Sequence, residues 1–195
     1  MSLRHAILGF LSFAPLTGYD LKKAFDRSVQ HFWPANQSQI YRTLAELTED
    51  GLIDKEVIER GDRLDMKVYH LTPAGRQELQ RWLSTPIPPP DTRDPFLIQI
   101  FFGGQLTDAE LLGLIESQRQ AAEALLDVYR RTHAASVGQT SAVADERALF
   151  LSHLTLEFGL KSCLMYRDWL LDAHARLQAG QYRPLDLSQI LGEAK

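Results

Sequence analysis

Cysteine is nearly absent: Cys163 is the single one among 195 residues. One thiol can form neither an internal disulfide nor a cysteine-based zinc finger, and its isolation fits a reducing cytoplasm. Long apolar runs are missing too. None approaches the roughly 18 residues of a membrane span, so no membrane partner is expected. Charge of one sign is not in excess, with 21 Lys+Arg against 25 Asp+Glu and a net charge of -4. That balance gives no general pull toward nucleic acid or an anionic bilayer, so any DNA binding must come from a local patch. Neither a Gly-rich phosphate loop nor a Gly-x-Ser-x-Gly elbow occurs, and Gly103-Gly104 is too short to count.

Residues that could imitate catalytic or metal chemistry have plainer readings. His153 and Glu157 stand four apart, as ligands on a helix can, but no third ligand is near in sequence. They read as a helix-stabilising polar pair. Cys163 lies ten residues from His153, about 15 Å along a helix, too far for a nucleophile and its base. It reads as packing. No catalytic residue, metal or cofactor is expected.

The start, MSLRHAILGFLSFAPL, loosely imitates a secretory signal, with Arg4 ahead of an apolar run and small residues at Ser12 and Ala14. Leu3, Ile7, Leu8 and Leu11 recur at helical spacing, so we read residues 2 to 14 as an amphipathic first helix ended by Pro15. Thr17, with Asp20 three positions on, caps a second helix running to about Val29 and burying Leu21, Ala24 and Phe25. Pro34 breaks the chain and Asn36 caps a third helix, QSQIYRTLAELTE, up to Gly51. At 100° per residue its inner face carries Ile40, Leu44 and Leu47, while Ser38, Gln39, Arg42 and Glu46 point the other way and Tyr41 sits on the flank.

After Gly51 the pattern becomes extended. Leu52 to Glu59 and Leu64 to Leu71 flank the turn signal Arg60-Gly61-Asp62-Arg63 and predict a hairpin. Thr72-Pro73 opens a fourth helix with Leu79, Trp82 and Leu83. Four prolines between Pro86 and Pro90, with Pro95 beyond, predict a stiff spacer. The rest reads helical: an apolar segment Phe96 to Phe102, then a helix capped by Thr107 and Glu110 with Leu111, Ile115, Ala122, Leu125 and Tyr129 on one side. A break at SVGQTS precedes a last helix from Ala142 to Gln178.

The expected fold is mainly α: a winged helix-turn-helix of three helices and a two-stranded wing over residues 1–85, a proline-rich linker at 86–95, a helical dimerisation region at 96–180 and a tail at 181–195. A polar start on the third helix suits base edges and phosphates. Arg42 can take guanine and Gln39 adenine. Ser38 and Tyr41 suit phosphates, and Lys22, Lys23, Arg60, Arg63 and Lys67 add local positive charge. Residues 1 to 85 hold eleven cationic and eleven acidic side chains, so the acidic excess falls in the other half.

Three stretches resemble the PadR-like transcriptional regulators: ILGFLSFAPLTGYDLKKAF, SQIYRTLAELTEDGLI and KVYHLTPAGRQEL. The helical remainder resembles, more loosely, the C-terminal region of the virulence-activator-like members. Ser38-Gln39 and Arg42 depart from the family's usual small residue and proline at the reading end. The resemblance implies a cytoplasmic homodimer that binds double-stranded DNA as a repressor or activator, many members answering to a small aromatic molecule. Leu154, Phe158, Met165 and Trp169 are expected at the dimer contact, because the last helix is apolar around most of its girth. Phe101, Phe102, Tyr166 and Trp169 are expected to line an effector pocket. The expected function is a repressor on a palindromic operator, released by an aromatic effector. The alternative is a winged-helix module that binds a protein partner instead of DNA, for which Arg42 and the wing arginines have less use.

Overall fold

A computed structural model describes residues 2–29, 32–60, 63–89, 93–137, 146–186 and 188, with backbone alone for 2, 60, 63, 64 and 135–137. The chain divides into two compact units, residues 1–90 and 91–195.

In the first unit, α1 (Ser2–Phe13) is followed by β1 (Leu16–Thr17), α2 (Gly18–Arg27), α3 (Gln37–Glu49), the hairpin β2 (Ile53–Arg60) and β3 (Arg63–Leu71), and α4 (Pro73–Leu83). The apolar periodicities converge on one core. Ile7, Leu8 and Leu11 of α1 meet Leu21 and Phe25 of α2, Ile40, Leu44 and Leu47 of α3, and Ile53, Tyr69 and Leu79 beyond them.

Local signals set the boundaries. The Thr17 hydroxyl accepts the Asp20 N–H at 3.1 Å and donates to the Asp20 carboxylate at 2.7 Å. Gly51 takes a φ of 69°, the left-handed conformation in which a chain leaves a helix at little cost when no Cβ is present. The Thr72 hydroxyl lies 2.9 Å from the Gly51 carbonyl and 3.0 Å from that of Leu52, and it accepts the Gly75 N–H at 3.0 Å. One residue thus caps α4 and holds it against the turn after α3.

The two-stranded wing is present, and β1 joins it in a three-stranded sheet of order β1-β3-β2, antiparallel throughout. Leu16 pairs with Tyr69 and Thr17 with Val68, while Ile53 pairs with Leu71 on the other side. A two-residue strand is too short for alternation to reveal it. The hairpin turn at Gly61-Asp62 lies outside the described residues.

A second tie joins α1 to α4. The buried His5 ring stacks on Trp82, centroids 4.5 Å apart, and its Nε2 lies 3.0 Å from a Glu78 carboxylate oxygen. Arg81 donates to both oxygens of that carboxylate, and the two partners, Arg81 first, hold the Glu78 carboxyl below the usual range. Of the three large apolar residues of α4, Leu83 is exposed, and Leu79 and Trp82 supply the inner face.

The second unit holds α5 (Pro95–Phe101), a 3-10 turn (Gly103–Gln105), α6 (Asp108–Val137) and α7 (Glu146–Gln178). Asp94 caps α5. Thr107 and Glu110 form the expected box, with the Thr107 N–H donating to the Glu110 carboxylate at 2.8 Å and the Glu110 N–H returning to the Thr107 hydroxyl at 3.3 Å. Helices α6 and α7 run antiparallel. Cys163 lies 3.4 Å from the Ala122 carbonyl and the Tyr166 hydroxyl donates to Gln118 at 3.3 Å, so rising numbers on one helix meet falling numbers on the other. Ala122, Leu126, Tyr129 and Cys163 form one core cluster, and Phe96, Ile115 and Leu170 a second. Leu126 fills the place given to Leu125, which is exposed. The two are adjacent, and only the side from which α7 approaches distinguishes them. Burial pushes the Cys163 thiol up, which disfavours the nucleophilic thiolate.

Gly75 marks a close approach. A Cβ there would lie 2.0 Å from the Leu52 carbonyl oxygen, a backbone atom that cannot step aside. Gly75→Ala is expected to destabilise the first unit by about 2 kcal/mol or more, the cost of overpacking. Urea denaturation followed by Trp82 fluorescence checks this, and an unchanged midpoint would contradict it.

Candidate nucleic-acid interface

The first turn of α3 is locked by a reciprocal cap. The Gln39 N–H donates to the Asn36 side-chain oxygen and the Asn36 N–H to the Gln39 side-chain oxygen, both at 2.9 Å. Gln39 is exposed, yet its carbonyl oxygen is engaged in the cap and only its amide nitrogen is left for an outside acceptor. The adenine contact expected of it, where made through both amide atoms as glutamine commonly does, needs that oxygen as well, so the cap would have to open. The Asn-x-x-Gln spacing carried this signal, and the sequence reading used its first residue only.

With Ile40, Leu44 and Leu47 fully buried, the opposite face must look outward. Ser38 is exposed. The Arg42 side chain is 73% exposed, and its Nε lies 3.9 Å from Glu46, a loose ion pair. Tyr41 leans toward the start of α2. With Tyr19, Asp20, Asp65, Lys67 and Tyr69 it lines an open groove of about 740 Å³. Burial, and then the neighbouring Tyr41, push the Tyr69 hydroxyl above its ordinary range. The Lys23 ammonium lies 4.4 Å above the Tyr19 ring. Lys22 pairs with Asp26 and borders a second depression with Asn36 and Gln39. The side chains of Arg60 and Arg63 lie outside the described residues; their backbones pair across the hairpin.

The structure therefore gathers Tyr41 and Lys67 in one groove, sets Lys22 beside Gln39, and leaves Arg42 and Ser38 outward. Sequence reading missed Tyr19 and Tyr69 as groove walls. It also missed the contact of Gly18 with Tyr41, for which the Gly18-Tyr19 step was the only trace. Asp20 and Asp65 temper the charge of the groove. The surface offers neutral hydroxyl donors and a few cations, which suits hydrogen bonding to phosphates and base edges more than bulk attraction.

Elsewhere the expected residues scatter. Leu154, Phe158 and Met165 are exposed on α7, but Trp169 is half-buried, edge-on to Phe96 at 6.3 Å and stacked on Tyr166 at 5.9 Å. Phe101 and Phe102 meet edge to face at 5.0 Å and are 80% and 61% exposed, so they do not close a pocket with Tyr166 and Trp169 inside the second unit. Two clefts of that unit have other walls. Tyr129, His133, His153 and Leu160 border one of about 310 Å³, and Ile100, Leu111, Arg176 and Tyr182 border one of about 240 Å³. His153 bonds back to the Leu149 carbonyl at 3.1 Å, and Glu157 pairs with Lys161. Among the described residues no group of three or more His, Cys, Asp or Glu is placed to hold a metal, and no helix is long and apolar enough to cross a membrane.

Three helices, a short strand ahead of the second, and a hairpin packed beside the third define a winged helix-turn-helix protein carrying a further helical unit. Comparison with known proteins narrows this. The profile of the "Transcriptional regulator PadR-like family" matches residues 7–81, and that of the "Virulence activator alpha C-term" matches residues 92–178. The chain is 32% identical over 169 residues to the negative transcriptional regulator PadR of Bacillus subtilis (strain 168), covering 86% of this chain and 93% of that protein. It belongs to the PadR-like family of transcriptional regulators. The crystal structure of Bacillus subtilis PadR with operator DNA superposes at a TM-score of 0.77 and 31% identity, over 91% of this chain and 99% of that one. The same protein with p-coumaric acid gives 0.75 and 30%, over 90% and 95%. The Vibrio cholerae virulence activator AphA gives 0.72 and 30%, over 91% and 98%.

Asn36→Ala removes one half of the cap on α3. It is expected to cost about 1 kcal/mol, as the loss of an N-cap side chain does. Chemical denaturation of the full chain measures this, and a cost near zero would mean that water replaces the cap.

Proposed function

We propose that the protein is a homodimeric, DNA-binding repressor that acts on a palindromic operator and is released by a small aromatic acid. The observation that carries this is the outward first turn of α3, with Arg42 exposed and the Tyr41–Lys67 groove alongside. In this reading α3 enters the major groove, Arg42 reads a guanine edge, and Ser38, Tyr41, Lys22, Lys23 and Lys67 hold phosphates. Arg60 and Arg63 serve the wing.

Dimerisation falls to α7. Leu154, Phe158 and Met165 lie within about 40° of one another on the helix and form an exposed apolar stripe. Trp169 continues the stripe but packs mainly inside its own subunit. A twofold dimer would set two reading helices about 34 Å apart, on successive turns of a palindrome. The negative sign of regulation is supported by likeness to a protein described as a negative regulator, and an aromatic effector by the complex of that protein with p-coumaric acid.

Four outcomes are expected. Fluorescence anisotropy with duplex DNA should give a Kd that weakens steeply with salt, with Lys67→Ala lowering the slope by about 1. Arg42→Ala should weaken operator binding about tenfold or more with little effect on random duplex. Indifference of the wild type to duplex at low salt would refute DNA binding. Phe158→Glu should turn a sedimenting dimer into a monomer, and a monomeric wild type would refute the dimer. p-Coumaric acid should quench tryptophan fluorescence and release DNA; a phenolic-acid panel that does neither would refute the effector.

A further inference from the structure

At its first position α2 carries glycine, and the space that a side chain would fill there is occupied by Tyr41 of α3. A Cβ on Gly18 would lie 2.6 Å from Cε1, 2.7 Å from Cζ and 2.9 Å from the hydroxyl oxygen of Tyr41. Backbone conformation does not account for this glycine, since its φ is not positive. Close approach does: Gly18 is buried, and the ring lies against it.

The nature of the neighbour matters. At Gly75 the obstructing atom is a carbonyl oxygen of the main chain. At Gly18 the three nearest atoms all belong to the far end of one partly exposed side chain. A residue larger than glycine at position 18 would therefore displace the Tyr41 ring and leave both helices where they are. The ring so held is part of the wall of the groove that also contains Tyr19, Lys67 and Tyr69. In helix-turn-helix proteins the helix ahead of the reading helix crosses the DNA backbone, which brings the start of α2 to the phosphates.

We propose that Gly18 is a positioning residue for DNA: by lacking a side chain it fixes the Tyr41 ring so that the Tyr41 hydroxyl donates a hydrogen bond to a phosphate oxygen of the operator backbone. The assignment rests on the DNA-binding reading above and adds a residue that touches no nucleotide.

The test compares full-length wild type, Gly18→Ala, Tyr41→Phe and the double variant by anisotropy on one operator duplex across a salt series, with thermal melting alongside. Each single variant should raise Kd about fivefold, the effect of one lost hydrogen bond. The double variant should be no worse than either, because both changes remove the same contact. The salt slope should stay at the wild-type value, since no cation is lost. The melting temperature of Gly18→Ala should stay within a few degrees of wild type. Additive losses, wild-type affinity in either single variant, or a Gly18→Ala protein that fails to fold would each overturn the assignment. A wild type that binds no duplex would instead sink the DNA-binding reading, and this assignment with it; wild-type binding that Gly18→Ala leaves unchanged sinks this assignment alone.

Discussion

The arrangement of the first unit depends on three side chains of α3. Ile40, Leu44 and Leu47 have no exposed surface, and each gains about 1.5–3 kcal/mol on leaving water. Rotating α3 by one residue would lift at least one of them out of the core. The loose Arg42–Glu46 pair, between two largely exposed side chains, contributes at most about 1 kcal/mol and cannot compete. The core therefore decides which way the helix faces, and the outward residues follow from it. Breaking the Arg42–Glu46 pair in favour of another partner costs little, so Arg42 is available without any rearrangement of the fold.

Rigidity at the start of α3 comes from a different source. The cap between Asn36 and Gln39 satisfies two backbone donors that a helix start otherwise leaves open. The exposed Ser38 is presented from a fixed turn. A side chain that closes a cap is poorly suited to reading a base as well, so in the proposed function the reading would fall to Arg42 and the groove hydroxyls instead of Gln39. Gly51 and Thr72 do the equivalent work at the far end, where one hydroxyl joins the exit from α3 to the entry of α4.

How much of this was legible in the sequence depends on how local each signal is. Thr17, Asn36, Thr72 and the Thr107–Glu110 box were readable because a cap and the backbone N–H group it accepts lie within four residues. The inner face of α3 was readable because a single helical period sets it. Strand β1 was not, since two residues carry no period and their pairing with Tyr69 and Val68 spans some fifty positions. Leu126 in place of Leu125 reflects the same limit: periodicity narrows a face to neighbours, and only the partner helix chooses. The seat of Tyr41 on Gly18 and the stacking of His5 on Trp82 are tertiary contacts between distant segments, and the sequence held only the bare residues. The aromatics expected at an effector site were grouped by type, and the structure sets them in two pairs, Phe101 with Phe102 and Tyr166 with Trp169.

The electrostatics of the first unit bear on why the proposed dimer would matter. Its cationic and acidic residues balance over residues 1 to 85, and two carboxylates, Asp20 and Asp65, stand in the groove itself. A single unit of this kind has few phosphates to neutralise, so counterion release gives it a modest hold on any one half-site. Joining two such units turns the second contact into an intramolecular event, and the joint affinity exceeds either alone by about 10²–10⁴ where the spacing permits both. The same balance penalises DNA at which only one unit can engage. Under the function proposed above, selectivity in a nearly neutral reader would follow from the coupling of two weak contacts more than from the strength of either, and the exposed stripe on α7 would be as much a part of recognition as Arg42.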